Sequence, residues 1–171
     1  MVSRGFFPWF DRLAFAVVLF TVVVFHSPVA ASPDDSALPQ PNAELTPATI
    51  VEIVIDALAK NDEPYPNAGI ETAFNFASPA NKAVTGPLDR FVTLVNGPVF
   101  GKMVNHRDST LSRVVIENGM AIRLVQIIST EGETVYYAFR LGLQQSGDYT
   151  GMWLTEAVWP LKNPDRDMLA L

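Results

Sequence analysis

Apolar positions follow two different periods along this chain. From Pro47 to Asp62 the residues Ile50, Val51, Val54 and Leu58 recur at three- and four-residue steps, which predicts a helix. Ile53, Ile55 and Ala57 widen its apolar face, so it should be largely covered. Its β-branched residues are poor helix formers, and packing must hold it. Thr46 is placed to cap it, with Pro47 at the first helical position, where the missing N–H costs nothing. "EPYPNAG" reads as a loop. A second helix is expected from near Ile70, with Ile70, Ala73, Phe74 and Ala77 on one stripe and Glu71, Asn75 and Ser78 on another side. Within "FASPAN", Ser78 can cap a new turn that Pro79 begins, because the residue before proline is pushed out of the α region. Gly86-Pro87 repeats the break. Leu88, Phe91, Val92 and Val95 then share a helical face, with Gly97 placed for a left-handed cap. Pro98 to Ser109 reads as irregular.

After Ser109 the period shortens to two. "TLSRVVIE" precedes Asn118-Gly119, a strong signal for a two-residue hairpin turn. "MAIRLVQIIS", "TVYYAFRLGLQQ" and "MWLTEAVWPL" alternate in turn, separated by "TEGE" and "SGDYTG". Pro160 ends the last strand or places it at an edge. Helices followed by a meander predict an α+β domain, with N-terminal helices packed on a curved antiparallel sheet of about four strands. Both faces of the middle strands carry apolar residues. The face away from the helices therefore needs cover, from curvature or from a second copy of the chain.

The N-terminal segment changes the picture of where this domain works. Leu13 to Phe25 is free of charge, flanked by Arg4 and Arg12, and followed by the small pair Val29 and Ala31. Such a run is short for a bilayer span of about 20 residues. It reads as an export signal over residues 1–31, placing the protein in a periplasm, at a cell surface or in an organelle lumen. The alternative is an uncleaved anchor built from residues 6–25, the one reading that gives the protein a membrane partner. Residues 32–46, rich in proline, read as a flexible linker, 47–162 as one domain and 163–171 as a tail. Loss of Arg4, Asp11 and Arg12 takes the net charge from −6 to −7. With no basic run, a nucleic-acid groove is not expected. The chain has no cysteine and two histidines. That excludes disulfides and thiolate chemistry, and leaves little for a metal site. No cofactor is called for.

"ALAKND", "GIETAFNFASPANK", "GPLDRFVTLV", "YYAFRLGLQ" and "MWLTEAVWPL" together resemble the domain-of-unknown-function 4864 family. That family is related to the cone-shaped α+β fold of the nuclear-transport-factor-two-like and cystatin-like superfamily. The similarity spans roughly Thr46 to Leu161, with "EPYPNAG" an insertion relative to shorter members. It implies helices on a strongly bent sheet, often enclosing a pocket. The family has no established activity and lends no catalytic residues.

Enzymes of related outline need a carboxylate base facing an acidic donor in an apolar cavity. The candidates are Glu156, Asp56 or Glu71 as base, and Tyr137 or Tyr136 as donor. Asp56 also fits an exposed helix stripe, and Glu156 fits a cross-strand ion pair with Arg140 or Arg123. His106, Asp108 and Ser109 stand too close in sequence for a triad, and "NHRDS" reads as a solvated loop. Phe74, Trp153 and Trp159 are candidate ligand-binding residues. The six-residue spacing of the tryptophans places both on one strand face. Two functions follow. The first is a non-enzymatic module binding a small apolar ligand or a protein, with homodimerisation through the sheet face. The alternative is a proton-transfer enzyme of isomerase or cyclase type.

Overall fold

The computed structural model describes residues 37–162 and Pro164; the export segment and nearly all of the tail lie outside the described residues. Among the described residues the order is four helices and then five strands, an α+β domain. Helix α1 spans Pro47–Ala59, and Thr46 caps it by accepting the Thr49 N–H at 3.2 Å. Of the apolar set expected from periodicity, Ile50, Val51, Val54, Ile55 and Leu58 are buried, while Ile53 and Ala57 are half-buried. Helix α2 covers Ala68–Asn75. Gly69 lets it approach α1 closely: a Cβ there would stand 2.1 Å from the Ala57 carbonyl oxygen. Helix α3 covers Pro79–Thr85, and α4 covers Leu88–Val95. Gly97 does not form the expected left-handed cap; α4 ends on Asn96 in the right-handed region. Pro98 to Ser109 holds a 3-10 turn at Gly101–Met103.

The linker expected over residues 32–46 is partly docked. Leu45 packs against the core, and the Pro39 carbonyl accepts from the Asn75 side chain at 3.5 Å.

The strands are β1 (Asp108–Leu111), β2 (Val115–Glu117), β3 (Met120–Ile128), β4 (Thr134–Leu143) and β5 (Trp153–Leu161). All pairings are antiparallel, in the order β1-β3-β4-β5, with β2 also against β3. The described residues thus form five strands where about four were expected. The first predicted strand is split, because Ser112 substitutes side-chain bonds for a regular ladder. Its hydroxyl accepts the Leu124 N–H at 3.0 Å and donates to the Arg113 carbonyl at 2.8 Å. The Asn118-Gly119 turn has φ of 48° and 74°, the twist that a two-residue hairpin requires.

Directly paired residues share a sheet face, so the register sorts the side chains. Ala121, Val125 and Ile127 of β3, with Tyr137, Phe139 and Leu141 of β4, face the helices and form the core with α1. Arg123 shares that face. It clamps α1 to the sheet, donating to the Ala48 carbonyl at 2.7 Å, to Glu52 at 2.9 Å and to the Ser112 carbonyl at 2.9 Å. The opposite face carries Met120, Ile122 and Leu124 of β3, Tyr136, Ala138 and Arg140 of β4, and Trp159 of β5.

One irregularity reorders β5. Arg140 pairs with Ala157 and Leu141 with Thr155, so Glu156 is an extra residue, a β-bulge. The bulge shifts the parity of everything beyond it. Trp153 pairs with Leu143 on the helix side, whereas Trp159 pairs with Ala138 on the far side. The two tryptophans therefore lie on opposite faces, contrary to a simple count of six.

Candidate functional site

The two breaks at Ser78-Pro79 and Gly86-Pro87 set α3 apart as a short separate helix, while α4 folds back onto α2 through Phe91 and Phe74. Helix α3 buries no residue. The space this leaves is a cavity of about 410 Å³. Val54 and Leu58 of α1, Phe91 and Val95 of α4, Phe100 and Phe139 supply apolar walls. Ala80 and Val84 of α3 line its side, and Thr155 to Val158, the bulged stretch of β5, lines another.

The "FASPAN" motif is more than a helix break. Ser78 is fully buried, and its hydroxyl accepts the Asn81 N–H at 3.1 Å as the cap of α3. The same hydroxyl donates to Glu156 Oε2 at 3.0 Å. The Ser78 N–H bonds the Thr155 carbonyl at 3.0 Å, and the Thr155 N–H bonds the Phe76 carbonyl at 2.8 Å. The motif thereby docks α2 and α3 onto the edge of β5 next to the bulge.

Glu156 is half-buried and lines the cavity. The expected ion pair does not form. Its carboxylate takes the Ser78 hydroxyl and the Gln144 amide, the latter at 2.8 Å, while Arg123 is committed to Glu52 and Arg140 has no ion pair among the described residues. The bulge is the reason, since it removes Glu156 from regular register with β4. Gly142 makes room for it: a Cβ there would come within 2.9 Å of Oε1 and 3.0 Å of Cγ.

The remaining candidates do not join Glu156. Asp56 is exposed on α1 and borders a separate hollow of about 700 Å³ with Leu38 and Pro39. Tyr137 is 2% exposed, and its hydroxyl donates to the Val99 carbonyl at 2.9 Å. Burial raises the pKa of that phenol, which stacks near Phe100 at 6.2 Å between ring centroids. Tyr136 lies on the far sheet face, opposite Gln126. Glu71 accepts the Tyr65 hydroxyl at 2.9 Å. Phe74 packs on Phe91 at 5.2 Å between centroids and lies under the Lys82 ammonium at 5.0 Å. Burial lowers the pKa of Lys82. Of the ligand candidates Phe74, Trp153 and Trp159, none lines the cavity.

His106 is buried, not solvated as its polar neighbours suggested, and its Nδ1 lies 2.7 Å from the Met103 carbonyl oxygen. That bond orients the ring as part of the loop. Ser78 and Gln144, which hold Glu156, were not singled out as site residues by sequence reasoning. Their signal is a contact across 78 and 12 residues, which no local pattern carries. Among the described residues no cluster of histidine or carboxylate side chains suits a metal ion, and no helix is long and apolar enough to cross a membrane.

Comparison with known proteins finds no matching family model, no matching curated protein and no matching solved structure.

Proposed function

We propose that this domain is a non-enzymatic binding module that takes a small apolar ligand into the cavity between α1, α3, α4 and β5. The observation that carries the reading is the cavity itself: about 410 Å³, walled by Val54, Leu58, Phe91, Val95, Phe100 and Phe139. Ligand sites are concave, mostly apolar and a few hundred Å³ in volume, and an apolar hollow gains more from an apolar guest than from water. The resemblance to cone-shaped domains with a pocket on the concave sheet face agrees with this placement. The apolar run Leu13–Phe25 followed by Val29 and Ala31 supports export as part of the same proposal.

The proton-transfer alternative rests on Glu156, whose carboxylate is held by neutral donors and not by an arginine. It lacks the second half of an acid–base pair. Tyr137 spends its hydroxyl on Val99, and Asp56 lies on the other side of α1. The binding reading fits the arrangement better.

The test is native mass spectrometry of the purified protein for a retained ligand, then titration with the neutral fluorophore N-phenyl-1-naphthylamine. Ala80→Phe fills the cavity from α3, where Ala80 is exposed and lines its side. It should weaken probe binding at least tenfold with little change in melting temperature. Absence of probe binding by the wild type, or equal binding by the variant, overturns the proposal.

A further inference from the structure

The chain has two Asn-Gly pairs, Asn96-Gly97 and Asn118-Gly119, and the fold treats them oppositely. Asparagine before glycine is the arrangement most open to ring closure, because glycine sets no side chain in the way of its own nitrogen. At the end of α4 the reacting groups are engaged. The Asn96 side-chain amide donates to the Val92 carbonyl at 3.1 Å and to Asn67 Oδ1 at 3.4 Å, and the Gly97 N–H donates to the Leu94 carbonyl at 3.1 Å. Val95, one residue earlier, is 6% exposed in the core, so freeing these groups means unwinding a packed helix end. At the tip of the β2–β3 hairpin the same groups are free. Asn118 is exposed and its side chain makes no hydrogen bond among the described residues, nor does the Gly119 N–H donate one. The Gly119 carbonyl accepts the Leu143 N–H at 2.9 Å, so the glycine is tied to β4 while Asn118 is tied only to β2. That strand is Val115–Glu117, three residues long and exposed throughout, and such a strand opens locally at little free energy.

We propose that Asn118 is a site of spontaneous covalent modification, at which the Gly119 nitrogen displaces ammonia from the side-chain amide and the isoaspartate that follows releases β2 from β3. The step needs water alone. The Gly119 nitrogen gives its proton to solvent and bonds Asn118 Cγ; the bond from Cγ to the amide nitrogen breaks, and that nitrogen takes a proton and leaves as ammonia. Water then opens the cyclic imide. Attack at Cγ gives aspartate, and attack at the main-chain carbonyl gives isoaspartate, in which the backbone runs through Cβ and Cγ. Nothing is oxidised or reduced. Isoaspartate adds a backbone atom to a two-residue turn whose fit depends on its length. That turn sets the register of Val115, Ile116 and Glu117 against Ile122, Ala121 and Met120. Loss of the register uncovers the edge of β3 from Met120 to Ile122, a row of unpaired backbone groups.

The test ages the full folded chain at body temperature in mildly alkaline buffer, with an unaged sample digested alongside. Trypsin sets each Asn-Gly pair in its own peptide, residues 91–102 and 114–123. Mass spectrometry reads the exchange of amide for acid, and electron-transfer fragmentation separates isoaspartate from aspartate. Asn118 should convert at least tenfold faster than Asn96. In the chain unfolded by urea the two should convert at similar rates, which assigns the difference to the fold. Brief trypsin treatment of the aged folded chain should cut after the exposed Arg113 at least tenfold faster than in the fresh chain, because β2 no longer holds the segment that follows. Asn118→Gly leaves a Gly-Gly pair suited to the same turn and removes the amide, so ageing should not change its cutting. Fresh Asn118→Asp brings the charge without the added backbone atom and should resist trypsin as the fresh wild type does. Equal conversion at the two sites of the folded chain overturns the proposal, as does an Asn118 that stays intact there while it converts in urea. So does an aged wild type no easier to cut than the fresh one, an aged Asn118→Gly that gains as much, or a fresh Asn118→Asp already cut as fast as the aged wild type.

Discussion

Asp62 Oδ2 accepts a hydrogen bond from the Asn105 side-chain amide at 3.1 Å, joining the α1–α2 loop to the loop before β1 across 43 residues of chain. Its other oxygen accepts the Asn67 N–H at 3.0 Å and the Asn61 side-chain amide at 2.9 Å. The Asn67 N–H, then the Asn105 and Asn61 amides, lower the pKa of Asp62 below the ordinary value of 3.8. The folded state therefore favours the charged form. That stability is fully present above pH 3.8 and is lost as pH falls through the lowered folded value. Asp62→Ala should lower the melting temperature at pH 7. The gap between variant and wild type should narrow in melts at pH 3 and below; a gap independent of pH contradicts the assignment.

Asn61 turns the same network into a test of buried polar groups. It is 2% exposed, and its Oδ1 accepts the N–H of Ile70, itself fully buried, at 3.1 Å. Asn61→Ala leaves that donor unpaired, so a loss of about 1–3 kcal/mol is expected. Asn61→Asp keeps the acceptor but loses the amide donor and sets a second carboxylate beside Asp62. It should recover stability as the pH falls towards 4. Chemical denaturation at two pH values separates the two effects.

Tyr137 gives an alkaline counterpart. Burial raises its pKa above the ordinary value of 10.0, so the folded state favours the neutral phenol. Its contribution is complete below pH 10.0 and is lost as pH rises through the raised value. Tyr137→Phe should cost about 1 kcal/mol at pH 7, the net worth of one hydrogen bond, because the Val99 carbonyl can turn to water. Above pH 10 the variant should fall off less steeply than the wild type in thermal melts.

The helices and turns were legible because their signals are local. Thr46 and Ser78 cap where Pro47 and Pro79 follow, and Asn118-Gly119 turns where two alternating runs meet. Alternation in β3 and β4 assigned their faces. What alternation could not carry was the bulge at Glu156, since period two assumes an unbroken register. That single extra residue separated Trp153 from Trp159, released Glu156 from the arginines and set the wall of the cavity. The split at Ser112 and the burial of His106 escaped for a related reason: both depend on one side chain bonding a particular backbone group. The cavity follows from helix breaks that the sequence does show, but its walls come from α1, α3, α4, β4 and β5, which no local pattern brings together.

Two glycines distinguish backbone from side-chain crowding. Gly69→Ala drives a methyl against the α1 backbone, with the Ala57 carbonyl oxygen at 2.1 Å, so α1 and α2 must separate. Gly142→Ala presses first on the Glu156 side chain, with Oε1 at 2.9 Å, and overpacking of this kind costs about 1–3 kcal/mol. Glu156→Ala should relieve most of the Gly142→Ala penalty and none of the Gly69→Ala penalty. Equal penalties for Gly142→Ala in both backgrounds would mean that Glu156 does not rest on Gly142.

The link between Ser78 and Glu156 holds the edge of the cavity and should be measurable as a coupling. Ser78→Ala removes the cap of α3, worth about 1 kcal/mol, together with the donor to Glu156. Ser78→Thr keeps both functions of the hydroxyl. Glu156→Ala removes the acceptor but spares the cap. In a double-mutant cycle the two alanine substitutions should couple by about 0.5–3 kcal/mol, as residues sharing a hydrogen bond do. Loosening this contact frees α3 to move over the cavity. Ser78→Ala should therefore change the fluorophore's binding rate constants as well as stability, while Ser78→Thr, whatever its added buried methyl group costs, should keep the coupling to Glu156. A stability loss in Ser78→Ala equal to the cap alone, with no coupling to Glu156, would place the serine as a helix cap and nothing more.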